Sequence, residues 1–277
     1  MPLRDWPGKR LIGGANLLRG RGRRFADAPR KVAALSRLAH EESADAVVCT
    51  GDLSALGTDA ELEAARSGVQ PFFEAPLGFV CIPGNHDLYT RSVVREQRFD
   101  RHFGDALFSD LPEQCTDGQW PVVRLLREQA AVIAVNSARP NLPWKSSGRI
   151  PDSQLEGLRT ILAREEIRRR FVFVATHYAP LRPDGSPDTP LHGLDNAGAL
   201  MDVCAGIRRG AILCGHIHHA FRYAIPPDLY CGGSATMDGY EAAWWFEIEE
   251  LRTTVRPVHW DGNAWSLGPA DERTLVG

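Results

Sequence analysis

Four short polar clusters each follow directly on an apolar run, and this placement narrows the possible folds more than any other feature of the chain. Gly51-Asp52 closes the run at 45–50, and Gly84-Asn85-His86-Asp87 follows the run at 78–82. His177 ends the run at 171–176, and Gly215-His216-Ile217-His218 follows the run at 211–214. Short apolar runs bounded by Gly and Pro read as buried strands. Polar groups at strand ends on one edge of an α/β sheet can meet although they are far apart in the chain. Gly51, Gly84 and Gly215 leave room for the tight turns that would aim the side chains inward.

The residue types in these clusters agree with one another. Asp supplies a hard anionic oxygen, Asn a neutral carbonyl oxygen and His an imidazole nitrogen. Such a mixed N/O set suits Mn, Fe or Zn, and its lack of thiolate argues against a structural zinc site. Taken singly, each cluster has a plainer explanation. Gly-Asn-His-Asp is turn-forming chemistry, and a lone strand-end His such as His177 is commonly a hydrogen-bonded structural residue. Four clusters in series at four strand ends do not yield to that explanation.

The rest of the chain alternates apolar runs with amphipathic segments, which predicts α/β layering. A helix is expected to start near Pro29, with Val32, Leu35, Leu38 and Ala39 as its apolar stripe. Thr58 with Glu61 three residues on predicts a capping box at the next helix. Paired strands are expected at 122–126 and 131–135, helices at 152–166 and 196–207, and a surface loop over 180–190. Strands are also expected at 221–225, 229–232, 243–248 and 253–258. No repeat or linker interrupts this order, so 1–277 reads as a single domain. Trp244-Trp245-Phe246 suits either a core strand or a dimer interface, and oligomeric state is left open.

Gly-Asp, Gly-Asn-His-Asp, a strand-end His and Gly-His-x-His, in this order from Gly51 to His218, resemble the calcineurin-like metallophosphoesterase superfamily. The loop at 180–196 and the Gly-His-Ile-His end look most like bacterial class III cyclic-nucleotide phosphodiesterases and their relatives. The resemblance implies a four-layer αββα sandwich of two mixed sheets with two metals at the strand ends. It implies that Asp52 bridges the metals, that Asn85, His177 and His216 complete one of them, and that His218 serves the other. His86 would assist the leaving group as proton donor, and Asp87 would orient its imidazole. His192, in the loop near the expected pocket, is a candidate substrate contact, and His219 reads as a mere neighbour of the motif. The implied reaction is hydrolysis of a phosphoric ester, a phosphodiester above all, by a metal-activated hydroxide.

Family members normally open with a strand ending in Asp-x-His, which completes the second metal. No Asp-x-His occurs ahead of Asp52, where Asp5 is followed by Trp6 and Pro7, and 2–16 looks like the loop that follows that motif in relatives. The first strand is therefore expected to be missing, with one metal fully liganded and the other held only by Asp52 and His218. Either the reading frame extends upstream, or the protein kept one site and lost the other. The competing function is a catalytically impaired relative that binds a phosphate ligand or a protein.

Composition narrows the partners. A formal net charge of −3 gives no global attraction to nucleic acid or anionic membranes, so a phosphorylated small molecule must be held by local cations. Arg19, Arg21, Arg23, Arg24, Arg30 and Lys31 are one such local group, otherwise a solvated loop. The six cysteines form no C-x-x-C pair and mostly sit in apolar runs, as buried free thiols would. With no apolar leader at 1–6 and no run long enough to span a bilayer, a cytoplasmic location is expected.

Overall fold

The computed structural model of the protein describes residues 9–19, 21–250 and 252–274. The chain begins with α1 (Lys9–Leu18) and α2 (Ala28–Glu41), then β1 (Val47–Cys49), α3 (Asp59–Val69), β2 (Phe79–Cys81), α4 (Arg91–Arg95) and α5 (Arg98–Phe103). The hairpin β3 (Val122–Leu126) and β4 (Ala130–Ala134) follows, then α6 (Asp152–Ala163), α7 (Glu165–Arg168), β5 (Phe171–Tyr178), α8 (Ala197–Cys204) and β6 (Gly210–Gly215). The remainder is β7 (Phe221–Tyr223), β8 (Asp228–Cys231), β9 (Ala242–Ile248), β10 (Arg252–Trp260), β11 (Trp265–Leu267) and β12 (Asp271–Thr274).

Six strands form one mixed sheet in the order β3-β4-β5-β6-β8-β7. Its central strands β4, β5, β6 and β8 are parallel, and the edge strands β3 and β7 are antiparallel. Parallel strands buried on both faces need apolar residues at every position, and β5 is buried along its whole length. Alternation then splits the residues between two cores. Val132, Ala134, Phe173 and Ala175 face the interior shared with the second β layer. Ile133, Val135, Val172 and Val174 face α6 and α8 through Leu158, Ile161 and Leu200.

The second β layer has two parts, the parallel pair β1–β2 and the antiparallel group β9–β12. Val80 of β2 and Val255 of β10 enter the same inter-sheet core, with α3 contributing Leu62 and Val69. Helix α2 lies over the group's outer face, where Ala34 and Leu38 meet Val258 and Trp265. Helix, sheet, sheet and helix make four layers, as the resemblance implies. Trp244 and Phe246 pack on the inter-sheet core and Trp245 on the α2 face, so this cluster is core. Among the described residues, β1 pairs only with β2 and β9 only with β10. Val47, Val48 and Cys49 are accordingly only partly covered, whereas Phe79, Val80 and Cys81 are buried.

Three local expectations change. Residues from Lys9 onward form helix α1 rather than a loop, and the segment before it lies outside the described residues. Buried Arg10 of α1 donates to the carbonyls of Leu56 (3.3 Å) and Gly57 (3.4 Å), a docking that only tertiary structure supplies. The helix expected over 152–166 breaks at Arg164, which is extended (φ −66°, ψ 135°). Lys31 does not face a phosphate, because it is buried and paired with Asp238 at 2.5 Å and Glu241 at 2.6 Å. All six cysteines are free thiols.

The capping box forms as expected. Thr58 Oγ1 accepts from the Glu61 N–H at 3.2 Å, and Glu61 Oε2 accepts from the Thr58 and Leu56 N–H groups, each at 3.1 Å. Thr58→Ala is expected to lower stability by about 1 kcal/mol, read as the shift in urea midpoint at constant m.

Candidate metal centre

The four clusters meet. Asp52, Asn85, His177 and His216 come from the ends of β1, β2, β5 and β6, and the ligand atoms of Asp52, His177 and His216 all lie within 4.8 Å of one another. Asn85 Oδ1 stands between the two imidazoles, 3.1 Å from His177 Nε2 and 3.0 Å from His216 Nδ1. Asp52 Oδ2 is 3.6 Å from His177 Nε2.

Backbone conformation makes the convergence possible. Gly51 (φ +101°), Asp52 (+65°), His216 (+68°) and His218 (+62°) all adopt left-handed or related positive-φ geometry. For the three non-glycine residues this costs free energy, which is characteristic of functional turns. A Cβ on Gly51 would come within 2.5 Å of the Gly84 nitrogen, and one on Gly84 would overlap Asp52 Oδ1. Gly84→Ala is therefore expected to displace the Asp52 carboxylate and weaken Mn²⁺ binding about 10- to 100-fold, the cost typical of disturbing a ligand's support, measured by titration calorimetry.

Each imidazole is held by a main-chain carbonyl on one nitrogen. His177 Nδ1 donates to the Thr50 carbonyl at 2.7 Å. His216 bonds the backbone of His192. The other nitrogens then turn lone pairs toward Asn85 Oδ1 and Asp52, so acceptors converge on a common point. Such an arrangement repels itself unless a cation lies among them, and it matches the N/O set that Mn, Fe or Zn takes. Burial, then the charge of His177, lowers the His216 imidazole to about 3, which keeps it in the neutral, cation-binding form. Burial pushes the Asp52 carboxyl upward, but His177, His86, the His86 N–H and His216 together outweigh it and hold it ionised. That N–H donates to Asp52 Oδ1 at 2.9 Å.

His218 lies outside the tight group of three, although it is close enough for its charge to lower His216 further. His86 is half-buried, stacked on Tyr89 with ring centroids 5.7 Å apart, and its Nδ1 meets the Ala55 carbonyl at 2.7 Å. The role expected for Asp87, orienting that imidazole, is not what the geometry supports. Asp87 is fully buried and its oxygens accept from the N–H groups of Asp52 (2.8 Å), Leu53 (3.2 Å), Ser54 (2.9 Å) and Gly84 (2.9 Å), and from the Ser54 hydroxyl (2.9 Å). It clamps the Asp52 turn to the Asn85 turn. Its ring-orienting place is taken by a carbonyl, which a motif cannot reveal. Burial and the nearby Asp52 charge raise its carboxyl, against those donors.

His192 meets the centre through its main chain, and its own residue is exposed. His219 meets Tyr240 edge to face (4.8 Å between ring centroids), and Arg24 overlies the Tyr240 ring at 5.6 Å. Sequence reasoning missed Thr50, Ala55 and Tyr89. The first two act through carbonyls, which every residue has, and Tyr89 carried only its proximity to His86.

A solved dimetal phosphatase from Danio rerio shares the fold at 13% identity, with a TM-score of 0.64 over 91% of this chain and 90% of that one. Vacuolar protein sorting 29 from Cryptosporidium parvum aligns over 85% of this chain and 87% of its own at 12% identity and a TM-score of 0.37. The calcineurin-like phosphoesterase YfkN from Bacillus subtilis aligns over 82% and 89% at 11% identity and a TM-score of 0.28. No curated protein matches the chain. The family model for calcineurin-like phosphoesterases matches residues 23–220, a span that contains all four strand-end clusters. By that match, the chain belongs to the calcineurin-like phosphoesterase family.

Proposed function

We propose that the chain hydrolyses phosphodiesters at a divalent cation held by Asp52, Asn85, His177 and His216. The observation that carries this reading is the convergence of acceptor atoms on one point at the strand ends. A Mn, Fe or Zn ion bound there would supply Lewis acidity, polarising the phosphoryl group and making water nucleophilic near neutral pH. The residues do the rest. Thr50 and His192 carbonyls fix the two imidazoles, and Asp87 keeps the turns in register. With Nδ1 engaged by Ala55, His86 exchanges protons through Nε2 and delivers one to the departing alkoxide. Tyr89 holds the ring plane by stacking. His218 and Asp52 offer a second cation position, and the exposed His192 ring is a substrate contact at the mouth. Among the described residues, no helix is long and apolar enough to cross a membrane.

Turnover of bis-p-nitrophenyl phosphate against p-nitrophenyl phosphate in Mn²⁺ tests the reading. The diester is expected to have the higher kcat/KM. His86→Ala should lower kcat roughly 10²- to 10⁴-fold for a poorly leaving alkyl alcohol, and much less for p-nitrophenolate, which departs without a proton. Mn²⁺ binding without any hydrolysis would select the competing reading, a phosphate-binding or protein-binding relative. The observation favouring that reading is that, among the described residues, the one group of His and carboxylate ligand atoms that meets is Asp52, His177 and His216, with His218 outside it.

A further inference from the structure

A cavity of about 450 Å³ opens at the tip of β4, the neighbour of β5 on the side away from β6. Its lining includes Asp117, Trp120, Asn136, Arg139, Arg149 and Gln154. The position follows from strand register. Ala134 of β4 pairs with Ala175 of β5, and the Val135 N–H donates to the Ala175 carbonyl at 2.9 Å. Asn136 therefore stands at the strand tip next to the one that delivers His177. A smaller cavity of about 80 Å³ shares Trp120 and Asn136 and reaches Pro83 and Leu88, which flank the loop carrying Asn85 and His86. The larger space thus lies at the tip of β4, beside β5, and the smaller one reaches the end of β2, one of the four strand ends.

The inner wall is hydrogen-bonded and the rim, with Arg149, is exposed. Gln154 is buried and both ends of its amide are committed, accepting from the Asn136 N–H at 2.9 Å and donating to Asp117 at 2.8 Å. Asn136 Oδ1 accepts from the Ala138 N–H at 2.9 Å. Arg139 is pinned through Nη2 to Ser147 (2.9 Å) and Asp195, and Arg149 through Nη2 to Asp152 at 2.8 Å. Each guanidinium is held by one nitrogen, and among the described residues its remaining N–H groups have no protein acceptor. Preorganised guanidinium edges suit an anionic group, and the flat, buried Trp120 ring suits an aryl or heteroaryl face. The volume lies in the range of small-molecule sites.

We propose that this cavity binds an aromatic or heteroaromatic group that carries its own anionic substituent. It is the organic end of the phosphodiester whose phosphorus lies at the metal centre. That second statement rests on the phosphodiesterase reading, whereas the binding itself does not.

The test uses the full chain in EDTA, with tryptophan fluorescence or calorimetry and two probes, 1-naphthyl phosphate and inorganic phosphate. The naphthyl probe is expected to bind at least about tenfold more tightly. Arg139→Gln with Arg149→Gln should weaken both probes at least about tenfold while the melting temperature stays within a few degrees. Trp120→Leu should weaken the naphthyl probe and leave phosphate unchanged. Should Trp120→Leu fail to fold, the arginine pair decides alone. Equal affinities for the two probes, or naphthyl binding left unchanged by loss of both arginines, would overturn the proposal. Because no metal or turnover is involved, failure here is distinct from failure of hydrolysis in Mn²⁺. Preserved binding with no hydrolysis would keep the cavity and discard only its link to the ester.

Discussion

Asp52→Asn is expected to lose tight cation binding and at least about 10³-fold in phosphodiester turnover, a loss on the scale of removing a key preorganised electrostatic group. The substitution preserves shape and removes only charge. Asp52 is the one anion among the ligand atoms of the assembled set, since Asn85 is neutral and His216 is kept neutral by burial and His177. Without it, only neutral donors and a partly solvated pocket oppose the desolvation of a divalent ion. A stability readout gives the same answer without relying on activity. Wild-type protein at 100-fold excess Mn²⁺ over Kd should gain about 2.7 kcal/mol, or roughly 5–10 °C in Tm for a chain of this size. Asp52→Asn should show almost none of that gain. A variant that still melts higher in Mn²⁺ by the wild-type increment would place the cation elsewhere.

Asp87→Ala is expected to destabilise the protein by about 3–5 kcal/mol even without metal, the penalty for stranding buried partners of a charged acceptor. Four backbone N–H groups and the Ser54 hydroxyl lose their acceptor at once. Those donors belong to two turns separated by more than thirty residues, so the loss is not repaired locally. Asp87→Asn keeps one acceptor oxygen and should cost less. Urea midpoints of the two variants, with m held constant, separate this clamp from a catalytic role. An Asp87→Ala protein with wild-type stability and reduced turnover would restore the ring-orienting role expected for it.

Legibility from sequence followed the kind of information each feature uses. The capping box at Thr58 and the hairpin of β3 and β4 depend on neighbours a few residues apart, and both formed where expected. The convergence of the four candidate ligands was legible because strand-end placement and donor chemistry repeat at four points. Asp87 was identified as a site residue yet given the wrong partner, since the preference between a ring and four backbone N–H donors with a hydroxyl depends on where the Asp52 turn lies. Lys31 looked like part of a basic surface group, but α2 docks so that it is buried against Asp238 and Glu241. The break at Arg164 and the helix α1 were missed because their local propensities are weak and packing selects the outcome.

The amino-acid order alone determined the α/β layering and which side chains could bind a cation, because alternation, turn chemistry and donor type are all properties of short stretches; the four-layer architecture was what the resemblance carried by the four motifs implied. Tertiary structure decided the rest: which carbonyl holds each imidazole, that Asp87 is a clamp, and that an arginine-lined cavity opens at the tip of β4. These depend on distances between segments far apart in the chain, and such distances exist only after the strands have taken their register.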